Sequence, residues 1–144
     1  MKVPRVGVGI MILKGNKVLL GRRHKDTKKA DSELHGEGTW TCPGGKLDFG
    51  EKIVDTIKRE VFEETKIKIN NPKLISVTND VVSDAHFVTL GFFCKDFEGE
   101  PKVMEPDEII EWRWFPIDNL PKPMFFPSTK LINNYLSKTI YIGD

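Results

Sequence analysis

Residues 44–64 leave this 144-residue chain few ways to fold. The segment opens with two consecutive glycines and continues into apolar residues at the spacing of one helix face. Asp48 and Glu51 have the spacing of a capping box just ahead of that helix. We therefore predict a glycine turn that leads into an amphipathic helix, whose apolar stripe consists of Ile53, Val54, Ile57 and Val61.

Apolar runs predict strands on both sides of this helix. Residues 22–38 are polar and rich in lysine and are predicted to form a loop, whereas residues 66–69 lead from the helix into a strand. The mixed order of elements favours an α/β sandwich with a mixed sheet, in one domain over residues 1–144, rather than a regular βαβ series. Further strands are predicted at residues 6–12, 18–20, 40–42, 74–78, 86–94 and 108–115, and a second helix at residues 128–136.

Composition and charge exclude several classes of protein. The chain has 22 lysines and arginines against 21 aspartates and glutamates, a balance that argues against a duplex-DNA binder. Its two cysteines are too few for a disulfide framework and suit a reducing compartment. The apolar runs are far shorter than a membrane span, and the N-terminus lacks the pattern of a signal peptide. We therefore expect a cytoplasmic protein with neither membrane nor duplex nucleic-acid partners.

Three glutamates stand together on the predicted helix. At 3.6 residues per turn, Glu60, Glu63 and Glu64 fall within an arc of about 100°. Glu60 and Glu64 form a like-charge pair that destabilises a helix unless a cation offsets it, and Arg59 projects from a different side than Glu64. Because carboxylates without histidine or cysteine favour a hard ion, we expect Mg²⁺, with Mn²⁺ as the alternative, rather than Zn²⁺.

The glycine pair supplies the other half of the predicted site. Gly44 and Gly45 permit backbone dihedrals that other residues avoid, and they let a ligand approach the main chain closely. Together with the acidic helix they form a predicted metal platform for a polyphosphate. This platform is not a Walker P-loop, because no Gly-Lys-Ser/Thr follows the glycines. The alternative is a solvated acidic helix behind a glycine turn, which the number of specified positions at fixed spacing disfavours.

One fixed spacing links Gly45, Glu51, Arg59, Glu60, Val61, Glu63, Glu64 and Ile67. This pattern resembles the signature of the Nudix hydrolase family, and it departs only at Lys66, where the family has a glycine that ends the helix. The pattern His-Gly-x-Gly-x-Trp at residues 35–40, followed by Pro-Gly-Gly, resembles a MutT-like subgroup. The resemblance implies the Nudix-type α/β/α sandwich with a mixed β-sheet.

The same resemblance implies roles for the signature residues. Family members hydrolyse a nucleoside diphosphate linked to another group, with Mg²⁺ or Mn²⁺ as the cofactor. The general base stays open among Glu60, Glu63 and a carboxylate from a later loop, while Glu51 is expected to support the glycine loop. The implied metal ligands are Glu60, Glu64, Glu63 and the carbonyl of Gly44, and the implied catalytic residues are Arg59, Glu60, Glu63 and Glu64.

The MutT-like pattern implies a particular substrate class. It predicts cleavage of a (deoxy)nucleoside triphosphate, either normal, oxidised or non-canonical, to the monophosphate and pyrophosphate. Phe126 is expected to stack on the base, and Glu108 is the acid that we favour among those before the last strand. Ser128 and Thr129 stand where base-sanitising members carry acids. The expected substrate-binding residues are Gly45, Lys46, Arg23, His35, Phe126 and Glu108.

Two other functions stay open at this point. One is hydrolysis of a different nucleoside diphosphate derivative, such as ADP-ribose or a nucleotide sugar. The other is a non-catalytic nucleotide-binding Nudix domain, which the full set of signature glutamates disfavours. In each case the expected partner is a small nucleotide, and the oligomeric state is open between a monomer and a homodimer.

Overall fold

The computed structural model of the chain describes residues 2–29 and 33–143. Within these ranges the chain forms nine strands and two helices. The predicted hairpin, central helix, later strands and C-terminal helix are present, with bounds that differ slightly from the predicted ones. The strands are β1 (Arg5–Lys14), β2 (Lys17–Arg23), β3 (Trp40–Thr41), β4 (Gly44–Lys46), β5 (Lys68–Asn70), β6 (Lys73–Val82), β7 (Ala85–Cys94), β8 (Asp96–Glu98) and β9 (Ile109–Pro116), and the helices are α1 (Ile53–Thr65) and α2 (Phe126–Ser137).

Strand β1 lies in the middle of a seven-stranded mixed sheet. It pairs in parallel with β7 on one edge, and on its other edge it pairs antiparallel with both β2 and β4, at opposite ends of the strand. Strand β6 extends the sheet beyond β7, whereas β3 and β9 both pair with β2. The combination of one parallel pair with antiparallel pairs confirms the predicted mixed sheet.

Alternate side chains of β1 supply apolar groups to both faces of the sheet. Val8, Ile10 and Ile12 belong to one buried cluster, whereas Met11 and Leu13 belong to another. Because successive strand residues point to opposite faces, the two clusters lie on opposite sides of the sheet. The first cluster includes Ile57 and Val61 of α1, and the second includes Leu131 and Ile132 of α2. One helix therefore covers each face, which is the predicted α/β/α sandwich.

Helix α1 differs from its prediction at the N-terminal end. Ile57 and Val61 are fully buried, but Ile53 and Val54 are 41% and 42% exposed because they lie in the first turn, next to an exposed loop. The predicted capping box is also wrong, since the residue that caps the helix is Lys52 and no side chain caps it. The predicted C-terminal helix begins earlier than expected, at Phe126. Neither helix of the described ranges is long and apolar enough to cross a bilayer.

The segments around the predicted loop and turn contain more strand than expected. Residues 22 and 23 continue β2, because they pair with β9. Residues 24–29 and 33–38 lie outside helices and strands, as predicted for this loop. The predicted loop positions 30–32 lie outside the described residues. The predicted glycine turn is instead strand β4, which hydrogen-bonds to β1. Strand β8, which was not predicted from the sequence, forms a small separate sheet with β5.

Helix α1 ends with a residue in the left-handed conformation. Lys66 has φ 69°, and its backbone N–H donates to the carbonyl of Phe62 at 3.0 Å. The chain therefore keeps the turn of the family signature with a lysine where the family has glycine. The left-handed conformation destabilises a residue that has a Cβ by about 1 kcal/mol, so this turn is strained.

We expect the substitution Lys66→Gly to raise the free energy of unfolding by about 0.5–1 kcal/mol, because glycine adopts a positive φ without a steric penalty. The control is Lys58→Gly, at an exposed position within α1, which should lower the same free energy by about 1 kcal/mol. Urea unfolding of both variants measures the difference. Equal destabilisation by the two substitutions would contradict the assignment of strain to Lys66.

Candidate active site

A cavity of about 500 Å³ is lined by residues of helix α1 and strand β4 on one side and by residues of strands β6 and β7 on the other. The side next to α1 is acidic, and we call the glutamates that line it the acid cluster. The opposite side is lined by hydroxyl and apolar groups of β6, β7 and α2. The acid cluster consists of Glu60, Glu63, Glu64, Glu105 and Glu108. The cavity therefore joins a strongly anionic region to a neutral one.

The glycines of β4 bring this strand into close contact with its neighbours. A Cβ on Gly44 would overlap the carbonyl oxygen of Val8, and a Cβ on Gly45 would overlap the carboxyl group of Glu60. Neither glycine has a positive φ, so the chain does not use the unusual dihedrals that glycine permits here. The expectation of close approach is correct, although the groups that approach are the protein's own backbone and a carboxylate.

Arg59 connects the glycine loop to the acidic helix. Its Nε and Nη2 donate to the two carboxylate oxygens of Glu51, at 2.7 and 3.0 Å, and its Nη1 donates to Glu60 Oε1 at 2.9 Å and to Glu63 Oε2 at 3.2 Å. The bidentate pair lowers the pKa of Glu51 to about 2 and raises that of Arg59. Arg59 is thus placed to orient two glutamates of the acid cluster.

Glu64 is held by the backbone of β4 rather than by arginine. The N–H of Gly44 donates to Glu64 Oε1 at 2.9 Å. Burial raises the pKa of Glu64 well above its usual value, and the charges of Glu60, Glu105 and Glu108 raise it further. Burial also raises the pKa of Glu60, against the opposing effect of the adjacent guanidinium. The two carboxylates that flank the glycines are therefore desolvated and repel each other.

This arrangement fits a hard divalent cation in charge and in donor type. Within residues 2–29 and 33–143, no three acidic, histidine or cysteine side chains are arranged closely enough to hold one metal ion as they stand. However, the desolvated carboxylates repel each other, and oxygen donors are those that Mg²⁺ and Mn²⁺ prefer. The residues that would hold such an ion are Glu60, Glu64, Glu63 and the carbonyl of Gly44.

The predicted substrate-binding residues fall into two groups. Gly45, Lys46, Arg23 and Glu108 all line the cavity. His35 is not among the lining residues; instead its Nε2 lies 2.8 Å from Asp84 Oδ1 on an exposed part of the surface, and this contact raises its pKa. Phe126 is also absent from the lining, because the neighbouring residue, Phe125, takes that place. The guanidinium of Arg23 lies 5.9 Å from the ring centre of Phe125.

Other residues that line the cavity were ranked lower or not predicted from the sequence. Glu105, one of the acids before the last strand, was ranked below Glu108, yet its charge raises the pKa of both Glu60 and Glu64. Thr78 and Thr89 line the opposite side, next to the fully buried Asp80. No motif marks these strand residues, because a threonine in a strand is ordinary and only the pairing of β6 with β7 brings them together.

Comparison with known proteins decides the family. The family model of the NUDIX domain matches residues 3–135, which is most of the chain. The chain belongs to the Nudix family. This confirms the family predicted from the signature residues. Nudix hydrolases use divalent metal ions and act on small nucleotide substrates, as expected.

Individual Nudix relatives differ in their named activities. The chain is 31% identical to the NAD-capped RNA hydrolase NudC of Pseudomonas syringae pv. tomato, over 92% of the chain but only 43% of that protein. It is 30% identical to the ADP-ribose pyrophosphatase of Methanocaldococcus jannaschii, over 92% of the chain and 73% of that protein. The crystal structure of a MutT NUDIX hydrolase from Burkholderia pseudomallei aligns with a TM-score of 0.83 and 30% identity, over 92% of this chain and 98% of that one. The chain thus spans less than half the length of the NudC relative.

We expect Gly44→Ala and Gly45→Ala to have different effects, because the groups that the new Cβ meets differ. Gly44→Ala clashes with backbone and should lower the free energy of unfolding by about 3 kcal/mol. Gly45→Ala meets the movable end of Glu60, so the protein should stay folded while turnover of its substrate falls by about tenfold or more. Thermal unfolding and a hydrolysis assay of both variants test this. A Gly45→Ala variant with unchanged turnover would contradict the role of this contact.

The pair of Glu51 and Arg59 should stabilise the protein in a defined pH range. The folded-state pKa of Glu51, about 2, lies below its ordinary value of 4.5, so the stabilisation is full above that ordinary value and disappears as the pH falls towards 2. Glu51→Gln should therefore lower the melting temperature at pH 7, and the difference from wild type should vanish in acid. Thermal unfolding between pH 7 and pH 2 measures this, and a difference that does not depend on pH would refute it.

Proposed function

We propose that this Nudix protein is a Mg²⁺-dependent hydrolase that cleaves a phosphoric anhydride bond in a (deoxy)nucleoside triphosphate, giving the monophosphate and pyrophosphate. The observation that carries the proposal is the convergence of the acid cluster at one side of a cavity whose other side is neutral. An anionic phosphate chain fits the first side only with a cation present. The neutral side, with Phe125 and Leu131, suits a nucleoside.

Different residues of the chain have different roles in this proposed reaction. Arg59 holds Glu60 and Glu63 in place, and the Gly44 N–H holds Glu64, so that three carboxylates are fixed around the phosphate position. A bound divalent ion supplies Lewis-acid stabilisation of the negative charge on the phosphate chain. Lys46 and Arg23 line the cavity and add positive charge that attracts the same chain.

The general base is proposed to come from the loop before β9. Among the described residues, the side chains of Glu105 and Glu108 have neither a hydrogen-bond nor an ion-pair partner, whereas Arg59 engages both Glu60 and Glu63. Burial and the charge of Glu108 raise the pKa of Glu105, which makes its carboxylate a better acceptor for the proton of an attacking water. Glu105 is our first candidate for this role.

A second candidate function is hydrolysis of ADP-ribose or a similar nucleoside diphosphate derivative. The observation in its favour is the name of a relative, the ADP-ribose pyrophosphatase that is 30% identical over 92% of this chain. The acid cluster would act in the same way, and only the leaving group would differ.

We further propose that the chain acts in the cytoplasm as a single Nudix domain over residues 1–144.

The assay that separates the two candidates is product analysis with Mg²⁺ across nucleoside triphosphates, oxidised nucleotides, ADP-ribose and nucleotide sugars. Release of pyrophosphate from a triphosphate supports the first candidate. Release of a sugar phosphate and AMP from ADP-ribose supports the second. If no substrate of the panel gives a Mg²⁺-dependent product, the proposal of an anhydride hydrolase is wrong.

We expect Glu63→Gln and Glu64→Gln each to reduce turnover by about 100-fold or more, because each removes a charge from the site while keeping the side-chain shape. Glu64→Gln should also raise the melting temperature, since the desolvated carboxylate disfavours folding while it is charged. Glu98→Gln, at an exposed position of β8, is the matched control and should change neither. Wild-type turnover in both active-site variants would overturn the assignment of these residues.

A further inference from the structure

On the side of the cavity opposite α1, two threonine hydroxyl groups lie next to each other on neighbouring strands. Thr78 of β6 and Thr89 of β7 are direct partners across the two strands, and both line the cavity. We call them the hydroxyl pair. Asp80 lies two residues after Thr78, on the same face of β6, and it is fully buried. One of its carboxylate oxygens, Oδ2, accepts from both Thr78 Oγ1, at 2.9 Å, and Thr89 Oγ1, at 2.6 Å.

These contacts fix the direction of the hydroxyl protons. The other oxygen of Asp80 accepts from Lys130 Nζ at 3.0 Å, so both oxygens of this carboxylate act as acceptors. Each threonine hydroxyl has only one proton, and both protons are used in the bonds to Asp80. The hydroxyl pair can therefore only accept hydrogen bonds from a molecule in the cavity.

The strand order places the hydroxyl pair at a suitable distance from the phosphate position. Strands β4, β1, β7 and β6 are successive neighbours, and Gly7 of β1 is paired with both Lys46 and Thr89. Because neighbouring strands lie about 4.8 Å apart, Thr89 is about 10 Å from β4. Gly7 has no side chain to fill the space between, and a Cβ there would lie 3.7 Å from Thr89 Oγ1. A sugar and a base can occupy this interval.

We propose that the hydroxyl pair selects a nucleotide whose base carries an exocyclic amino group. This inference rests on the proposed function, since it assumes that the acid cluster binds the phosphates. An amino group has two protons, and the oxygens of the hydroxyl pair accept from it side by side. Deamination replaces the amino group with a carbonyl oxygen. This oxygen would face the two accepting threonine oxygens, and none of the three oxygens would have a donor. Asp80 is then a positioning residue that sets the polarity of the pair.

The test is binding of nucleoside monophosphates, which have no anhydride bond to hydrolyse, measured by calorimetry with Mg²⁺ present. The pairs AMP and IMP, and CMP and UMP, differ by deamination of the base. We expect the amino member to bind about tenfold more tightly in at least one pair. Thr89→Val, which keeps the shape of the side chain, should reduce that preference to about threefold or less, and Thr89→Ser should restore it.

Two further variants guard against a merely structural effect. Thr139→Val, at an exposed position after α2, is the matched control and should keep the full preference. Asp80→Asn can donate to the threonine oxygens, which frees their protons, so the preference should shift towards the deaminated base. If Thr89→Val shows no melting transition of a folded protein, Thr78→Val takes its place in the comparison of amino and deaminated monophosphates.

The outcomes separate this inference from the proposed function. Equal affinity of wild type for amino and deaminated monophosphates, or a preference that Thr89→Val leaves intact, would overturn the inference even if hydrolysis is observed. A preference that is lost in Thr89→Val would support it even if no triphosphate is hydrolysed. If Thr89→Val instead changes only the ratio between AMP and its 2′,3′-dideoxy analogue, the sugar occupies the hydroxyl pair and the inference is wrong.

Discussion

Strand β4 and helix α1 meet with glycine backbone on one side and carboxylate side chains on the other. The lack of a side chain on Gly44 lets β4 lie against β1, and the lack of one on Gly45 lets Glu60 reach the strand, while Glu64 accepts from the Gly44 N–H. A side chain at either glycine would occupy space that β1 or Glu60 already fills. The position of the acid cluster, and with it the proposed phosphate site, depends on this close contact.

The electrostatics of the site follow from how the chain distributes its cations. Arg59 pairs with Glu51, Glu60 and Glu63. Among the contacts of the described residues, Glu64 accepts a hydrogen bond only from a backbone N–H. Burial therefore acts on Glu64 without a compensating cation from the protein. Such a carboxylate disfavours folding while charged, which is the expected behaviour of a group kept for binding rather than for stability.

The sequence predicted those features that depend on local spacing. The period of Ile57 and Val61 is a property of one helix, and the convergence of Glu60 with Glu64 follows from it. By contrast, β4 is a strand only because β1 pairs with it, and the hydroxyl pair exists only because of the register between β6 and β7. His35 and Phe126 were chosen from motif patterns, but their side chains point where tertiary contacts direct them, and such contacts leave no signal in a single sequence.

The central claim is that the acid cluster binds a divalent cation at the end of the cavity where a phosphate chain lies. The most direct measurement is electron paramagnetic resonance of Mn²⁺ titrated into the protein, with and without a nonhydrolysable nucleotide. We expect saturable Mn²⁺ binding that the nucleotide strengthens and that the double variant Glu60→Gln, Glu64→Gln abolishes. Binding of Mn²⁺ to the folded double variant with wild-type affinity would contradict the account.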